Sequence, residues 1–377
     1  MTQTTRRVLV TGANGFIGKN LLVRLGELPG YAVSSFVRGD NPEALPGLLA
    51  QADAVVHLAG ENRPADTGAF AKVNTGLTET LCAAIAQSLN TTGRRIPFIL
   101  ASSTQAELDN PYGHSKLAAE EAVHKLVAAT GNPAVIFRLP GVFGKWCKPN
   151  YNSVVATFCY NIARSLPVQI NNPSARLKLA YIDDVVTALI NAIESPCTGV
   201  AIDAVIPEYE CTLGELAEHI KAFENCRTTL LTEPVGTGFI RALYATYVSY
   251  LPNEKFSYSV PQHADPRGVF VEMLKTPDSG QFSYFTAHPG ITRGGHYHHS
   301  KTEKFLVIKG QALFKFRHLI TNETVELLTS GNQPQVVDTI PGWAHDITNV
   351  GSDEMIVMLW ANENFDRERP DTVASKV

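Results

Sequence analysis

Val8-Leu9-Val10-Thr11-Gly12-Ala13-Asn14-Gly15-Phe16-Ile17-Gly18 decides how the first half of this sequence is read. A short apolar, valine-rich run passes directly into a glycine-spaced turn, and the turn opens a helix-like segment, Lys19 to Leu28. Glycines at 12, 15 and 18 let the turn tighten and let backbone approach a bound anion closely. The free amides and the dipole at the start of the helix then favour a pyrophosphate. The residues expected to face a dinucleotide are Gly12, Asn14, Gly15, Phe16, Ile17 and Gly18. A glycine-spaced turn alone is a weak signal, and its place between a strand and a helix is what gives it weight.

The alternation that begins there continues to about Glu224. Val33 to Val37, Ala54-Val55-Val56, Phe98-Ile99-Leu100 and Ala134 to Phe137 read as buried strands; Phe70 to Gln87 and Ser115 to Thr130 read as amphipathic helices. Such alternation predicts a parallel sheet covered by helices on both faces. From about Phe256 short alternating runs take over: Phe282 to Ala287, Lys304 to Ile308, Ala312 to Arg317, Thr324 to Leu328 and Met355 to Trp360. Gly, Pro, Asn and Asp punctuate them, the texture of an all-β sandwich or barrel. Phe239 to Pro252 is aromatic and helix-like and reads as a packed bridge. A chain of 377 residues suits two domains, since single cores rarely grow past ~250–300 residues. The expectation is an α/β Rossmann domain over residues 1–252 and an all-β domain over residues 253–377.

Composition excludes several classes. Apolar residues make up 44% and charged residues 18%, as in ordinary globular proteins. A net charge of −4 leaves no electrostatic footprint for nucleic acid or an anionic membrane. Met1 to Val10 carries no apolar leader region. The most apolar stretches break well short of the ~20 residues a membrane span needs. Cys82, Cys147, Cys159, Cys197, Cys211 and Cys226 are scattered with no C-x-x-C pair, which fits reduced thiols in a cytoplasmic protein.

Two further features sharpen the first half. After the second strand comes Phe36-Val37-Arg38-Gly39, with no carboxylate at the strand end; Arg38 suits a 2′-phosphate, so NADP(H) is expected over NAD(H). Tyr112-x-x-x-Lys116 follows the strand that leads to Ser103. Residues four apart share a helix face, so the lysine lies beside the phenol and is expected to lower its pKa from ~10 for proton transfer. Ser103 is expected to hold the substrate oxygen at hydride distance.

With these pieces, residues 1 to about 250 resemble the extended short-chain dehydrogenase/reductase family, which includes nucleotide-sugar epimerases, dehydratases and reductases. The matching pieces are Thr11 to Gly18, Asp53 to Gly60, Asn74, Ser103, Tyr112, Lys116, Arg138 to Gly144 and Tyr181 to Val185. The resemblance implies that Leu58, Ala59 and Gly60 line the cofactor, with Tyr112 and Lys116 touching it, and that Asn74 supports the catalytic network. The interval from Ser103 to Tyr112 is compressed relative to that family, trimming a loop that often touches substrate.

The second half carries Arg293-Gly294-Gly295-His296-Tyr297-His298-His299, then Glu303 and Gly310, and later Pro341-Gly342-Trp343-Ala344-His345 through Asn349. In a strand, residues two apart face the same way, so His296 and His298 point together. Glu303 on the following strand and His345 on a distant one complete a four-ligand set for Zn²⁺, Fe²⁺, Mn²⁺ or Ni²⁺, with zinc the expected ion. These spacings resemble both cupin motifs. Asp265 to Phe270 and Arg293-Gly294-x-His296 are similar to the nucleotide-linked 4-keto-6-deoxysugar 3- or 5-epimerases, in which a histidine at the position of His296 removes the proton α to the ketone. Those epimerases are usually metal-free and lack the pairing of His298 with Glu303. His296 is therefore read as a general base, a metal ligand, or part of a Lewis-acid site.

The domain order as a whole resembles the bifunctional capsular-polysaccharide and O-antigen enzymes that make UDP-2-acetamido-2,6-dideoxy-β-L-talose, a precursor of N-acetyl-L-fucosamine. The resemblance implies that the cupin epimerises C3 of a UDP-linked 4-keto-6-deoxy amino sugar and the Rossmann domain reduces C4 with NADPH, in a cytoplasmic homodimer. A reductase whose cupin only binds substrate or dimerises is one rival. A cupin oxygenase with a cofactor-sensing Rossmann domain is another.

Overall fold

Along β1 (Arg6–Thr11) successive side chains alternate, sending Val8 and Val10 to one face and Leu9 to the other, all fully buried. The computed structural model describes residues 5–62, 70–368 and 370–377, so Met1 to Thr4 of the N-terminal stretch lie outside the described residues. β2 (Tyr31–Phe36), β3 (Ala54–His57), β4 (Phe98–Ser103), β5 (Ala134–Leu139) and β8 (Val200–Asp203) join β1 in a parallel sheet of order β2-β1-β3-β4-β5-β8. On one face Val8, Val10, Val56, Ile99 and Phe137 pack with Leu21 and Leu25 of helix Phe16–Glu27 and with Val185 and Leu189 of helix Ile182–Glu194. On the other face Leu9, Val55, Phe98 and Ile136 meet Leu49, Leu81, Ile85 and Val123 from helices Leu45–Gln51, Gly76–Thr92 and Pro111–Thr130. Each such side chain contributes roughly 1.5–3 kcal/mol through burial, which is why two-faced strands read as unbroken apolar runs.

The helices begin and end differently from the sequence expectation. The helix expected from Ser115 starts at Pro111, because Asn110 caps it by accepting the Gly113 amide at 2.8 Å and Pro111 suits the first turn. Tyr112 thereby falls in that first turn. The expected helix from Phe70 to Gln87 is divided: Ala71–Thr75 forms a wide π turn and Gly76–Thr92 the α-helix, closed by Gly93 in the left-handed conformation. π turns of this kind concentrate at functional sites, and this one carries Asn74. A three-stranded sheet of β6 (Gly141–Phe143), β7 (Arg176–Tyr181) and β9 (Glu208–Thr212) completes the region.

Contacts divide the chain into Met1–Glu218 with Ala245–Leu251, and His219–Tyr244 with Pro252–Val377. The segment expected as a packed bridge is helix Gly238–Val248 followed by a short turn, Asn253–Lys255. The second unit is built on two antiparallel sheets, the all-β cupin arrangement expected. One runs β10 (His263–Asp265), β11 (Gly268–Lys275), β12 (Gln281–Ala287), β19 (Met355–Ala361), β14 (Glu303–Lys309), β17 (Val336–Asp338). The other runs β16 (Thr324–Ser330), β15 (Gln311–His318), β18 (Trp343–Asn349), β13 (Thr292–Tyr297), β20 (Val373–Ala374). Phe285, Phe305, Val307, Phe314, Phe316, Ile347 and Val357 form their core. All six cysteines are free, and among the described residues no helix is long and apolar enough to cross a membrane.

The sheet order puts β2 on one side of β1 and β3 on the other, so a crevice opens at their carboxyl ends. Gly12 sits there with φ +67°, and a Cβ on it would lie 2.6 Å from the Ala59 nitrogen. Gly93 has the same φ of +67° but open space around it. Gly93→Ala should therefore cost the ~1–2 kcal/mol of a left-handed L-residue, while Gly12→Ala should cost a further ~1–3 kcal/mol for overpacking. Denaturant unfolding of the two variants measures the difference; equal losses would show that the Gly12 turn relaxes freely.

Candidate functional site

Two separate groups of chemistry-bearing residues stand out, one in each unit. In the first, Gly15 is the N-cap of helix Phe16–Glu27 and offers no side chain to the first amides, and its own amide donates to Gly12 O at 2.9 Å. A Cβ on Gly18 would lie 2.4 Å from Gly12 O, so the helix start is packed directly on the turn. Asn14 is exposed beside it, and Phe16 and Ile17 are half-buried. Leu58, Ala59 and Gly60 come directly after β3, across the crevice: the Leu58 amide bonds Thr11 O at 3.2 Å and the Ala59 amide bonds Thr11 Oγ1 at 3.3 Å. Arg38 extends into solvent and pairs with Glu61 at 3.0 Å, while Tyr151 donates to the other Glu61 oxygen at 3.4 Å. Sequence reasoning missed Glu61, although it directly follows the Gly60 that the resemblance singles out.

The reactive hydroxyls meet at the carboxyl end of β4. Ser103 ends that strand, nearly buried, with its hydroxyl facing that of Tyr112. Burial pushes the Tyr112 phenol above its usual pKa, and the Ser103 hydroxyl works against that rise. This differs from the expectation that Lys116 governs the phenol. The Lys116 ammonium lies 6.0 Å from the Tyr112 ring centre and donates instead to Ala101 O at 3.0 Å. Its position under Gly60 is tight, since a Cβ there would lie 3.4 Å from Lys116 Nζ and 3.1 Å from Asn74 Oδ1. Asn74 takes the Glu61 amide at 2.8 Å and donates to Glu61 O and Ser115 Oγ at 3.0 and 2.9 Å, linking the β3 loop to helix Pro111–Thr130. His57 is clasped between Thr11 Oγ1 at 2.6 Å and Thr78 Oγ1 at 2.9 Å, and burial, with the Lys116 charge nearby, lowers its pKa to about 3.

Arg138 sits behind these hydroxyls. It forks onto Glu120 at 2.7 to 3.2 Å and reaches Glu107 at 2.6 Å, while Ser102 donates to the same Glu120 at 2.5 Å. Burial lowers the Lys116 pKa to about 8, and the Glu120 charge opposes that fall. Between about 8 and the unfolded value near ~10.4 the unfolded lysine holds a proton that the folded one has released, so the contribution of this group to stability rises with pH. The difference in unfolding midpoint between the parent and Lys116→Met should therefore grow from pH 8 to pH 10 in the parent's favour. A flat difference would mean that the buried amine keeps its proton throughout.

In the second unit His296 on β13 faces His345 on β18 as a direct cross-strand pair, with a bulge at Gly294 just before it. His298 lies just past the end of β13, and Glu303 begins β14. The ring centres are 4.9 Å apart for His296–His298, 4.7 Å for His296–His345 and 5.3 Å for His298–His345. One donor atom from each of His296, His298, Glu303 and His345 falls within 4.8 Å of the others. Glu303 Oε2 lies 3.3 Å from His298 Nε2 and 3.6 Å from His345 Nε2, and its Oε1 takes Lys301 Nζ at 2.9 Å. Burial alone would raise the Glu303 pKa, but His298, His345 and Lys301 outweigh it and hold the carboxyl far below its usual range. Burial, then His345 and His298, lower His296 to about 4, leaving it neutral near pH 7.

The donor set fits a metal ion. Both ring nitrogens of His345 are buried without a hydrogen-bond partner among the described residues, a condition that costs ~1–3 kcal/mol per group unless a ligand answers it. Three imidazoles and a carboxylate at this spacing suit a tetrahedral Zn²⁺ or a related divalent ion. Lys301, Asp371 and Glu120 carry no motif signal and became visible only through folded contacts, Glu120 through the Arg138 that the resemblance had already marked.

The chain matches the model of the NAD dependent epimerase/dehydratase family over residues 8–205 and that of the polysaccharide biosynthesis C-terminal domain over residues 263–373. It is 56% identical over 371 residues to the UDP-2-acetamido-2,6-beta-L-arabino-hexul-4-ose reductase of Pseudomonas aeruginosa, covering 98% of this chain and 99% of that one. The crystal structure of the capsular polysaccharide assembling protein CapF from Staphylococcus aureus superposes with a TM-score of 0.88 at 40% identity, covering 98% of this chain and 100% of that one. UDP-glucuronic acid 4-epimerase from Bacillus cereus, in complex with NAD, superposes with a TM-score of 0.51 at 20% identity over 58% of this chain and 84% of that one, a likeness of fold alone.

Proposed function

Because the chain belongs to the NAD dependent epimerase/dehydratase family, we propose that it is a bifunctional nucleotide-sugar enzyme of capsule or O-antigen synthesis, acting as a cytoplasmic homodimer. Its cupin epimerises C3 of a UDP-linked 4-keto-6-deoxy amino sugar, and its Rossmann domain (residues 1–252) reduces the C4 ketone with NADPH to UDP-2-acetamido-2,6-dideoxy-L-talose. The observation that supports the reduction is the Ser103–Tyr112 hydroxyl pair at the carboxyl end of β4, with Lys116 one turn along the helix. The name of the Pseudomonas aeruginosa relative, a 4-ketose reductase, points the same way.

The nicotinamide cofactor supplies the hydride. Ser103 holds the ketone oxygen, and Tyr112 gives it a proton as the C4–O π bond becomes an alcohol. Lys116 would offer its ammonium to the ribose of a bound cofactor and to the negative charge left on the phenol. In the cupin domain (residues 253–377), a divalent metal such as zinc held by His296, His298, Glu303 and His345 would supply Lewis-acid stabilisation of an enolate oxygen. With such an ion held by His298, Glu303 and His345 alone, the neutral His296 ring keeps a free nitrogen and is the base that takes the C3 proton. The C3–H pair moves into the C3–C4 bond as the C4–O π pair moves to oxygen, and a proton delivered from solvent to the opposite face reverses that shift and inverts C3. The acidity of that proton depends on the C4 ketone, so epimerisation precedes reduction, and reduction locks the configuration. A second reading, a reductase whose cupin only binds substrate or dimerises, draws on the relative's name, which records reduction alone.

Tyr112→Phe should lower ketone reduction by ~10²–10⁴-fold with NADPH binding intact; near-normal NADPH oxidation would remove Tyr112 from the chemistry. Ring-proton NMR of UDP-4-keto-6-deoxy-HexNAc in D₂O, without NADPH, should show deuterium entering C3 with the parent protein and not with His296→Ala. No exchange with folded, zinc-loaded parent would leave the second reading in place. Arg38→Ala should weaken NADPH binding by ~1.5–3 kcal/mol, the size of a charge-assisted hydrogen bond, and leave NADH nearly unchanged. Equal losses for both cofactors would return Arg38 to plain solvent exposure.

A further inference from the structure

The last residues of the chain are tied to the histidine cluster by a set of contacts that neither the reduction nor the epimerisation uses. Asp371 Oδ1 accepts the His299 amide at 2.8 Å, and Asp371 Oδ2 accepts the amides of Ser300 and Lys301 at 2.7 Å and the Ser300 hydroxyl at 2.9 Å. The backbone carbonyl of the same residue accepts His298 Nδ1. Beyond it, Val373 pairs with Tyr297 and Ala374 with His296 in the β13–β20 ladder, and the Ser375 amide donates to Gly295 O at 2.9 Å. Arg317 fixes the end by donating to Lys376 O at 2.7 Å.

These contacts have a chemical consequence at His298. A carbonyl oxygen only accepts hydrogen bonds, so the Nδ1 that faces Asp371 O carries the proton, and in the neutral ring Nε2 keeps its lone pair. That Nε2 lies 3.3 Å from Glu303 Oε2, a contact that a proton on Nε2 bridges in the absence of metal and whose place a divalent cation would take. The Asp371 carboxylate meanwhile gathers three consecutive amides of the turn that separates His298 from Glu303. The spacing of those two groups therefore depends on a residue 73 positions away.

We propose that Asp371 is the positioning residue of the cupin metal site, its carboxylate shaping the 299–301 turn and its carbonyl fixing His298 with Nε2 free to bind a divalent cation. The inference rests on reading His296, His298, Glu303 and His345 as a metal site, and deepens that reading by naming what orients it. Outer groups that orient a metal-bound histidine typically carry 10–100-fold in metal affinity. Asp371→Asn is the direct perturbation, because its amide group places a donor against the turn's own N–H donors.

The test uses the full-length protein labelled with ¹⁵N-histidine, with the His298 signal assigned by its loss in His298→Gln. Long-range ¹H–¹⁵N spectra of the metal-free protein should show His298 protonated on Nδ1, and Asp371→Asn should move population to the Nε2–H form. Zinc affinity, measured by competition with a chelating dye, should fall by ~10–100-fold in that variant, while NADPH affinity holds. Parent His298 with no proton on Nδ1 overturns the proposal whether or not any variant folds, and so does an Asp371→Asn protein that keeps both the Nδ1–H form and full zinc affinity. If the parent binds no zinc, the metal reading fails by itself, and a tautomer shift in Asp371→Asn would still support the orienting role.

Discussion

The first unit depends on one close approach: the turn at Gly12 lies so tightly against Leu58 and Ala59 that no side chain fits between them. Parallel pairing of β1 with β3 brings the two strand ends level, and Thr11 then uses its carbonyl and hydroxyl to hold the amides of Leu58 and Ala59. The rest of the β3 loop is fixed in turn. Gly60 and Glu61 are carried to Asn74, Asn74 reaches across to Ser115, and Lys116 lands beneath Gly60. The glycine-spaced turn thus sets, through this chain of contacts, the position of Lys116 as well.

The second unit has a comparable constraint in the pairing of β13 with β18. The register sets His296 directly opposite His345, and the bulge at Gly294 turns the chain so that both rings face His298. Gly294 has φ +96°, and a Cβ there would lie 2.9 Å from His345 O, so the bulge needs glycine for both conformation and space. Apolar side chains close the site from below: Phe305 and Phe316 lie 6.5 and 6.3 Å from the His345 ring. Burial keeps the His296 imidazole neutral, while the groups around Glu303 keep it charged, the protonation pattern a cation site requires.

Much of this was legible in the sequence because it is local. Strand and helix alternation, the change of texture after Phe256, and the spacing of His296, His298 and Glu303 are short-range patterns that survive without coordinates. His345 was reachable through its own Pro341-Gly342 turn. The true start of helix Pro111–Thr130 escapes a reading by apolar period, because Asn110 and Pro111 precede that period and act through capping chemistry instead. Glu61, Glu120, Lys301 and Asp371 were not legible for a different reason. Each acts through partners brought near by folding, with 23 residues separating Arg38 from Glu61 and 70 separating Lys301 from Asp371. The expected control of the Tyr112 phenol by Lys116 also rested on spacing alone, whereas the direction of a long side chain depends on which acceptors surround it, here Ala101 O.

That direction leads to how charge is shared around the lysine. Glu120 sits four residues after Lys116 on the same helix and would, alone, keep the ammonium protonated. It is not alone: Arg138 takes both of its oxygens and Ser102 donates to one of them. A carboxylate committed to a guanidinium has less negative potential to offer a second cation, so burial prevails at Lys116 and its pKa settles at about 8. The half-buried Arg138, paired with buried Glu120, therefore does more than close a polar gap between β5 and the neighbouring helix. By occupying the carboxylate, it leaves Lys116 close to its titration point, where a small increase in nearby negative charge is enough to hold the proton firmly. Under the proposed reduction, a phenolate left on Tyr112, whose ring centre lies 6.0 Å from the ammonium, would be such an increase, and the charge created by proton transfer would then help keep the lysine cationic.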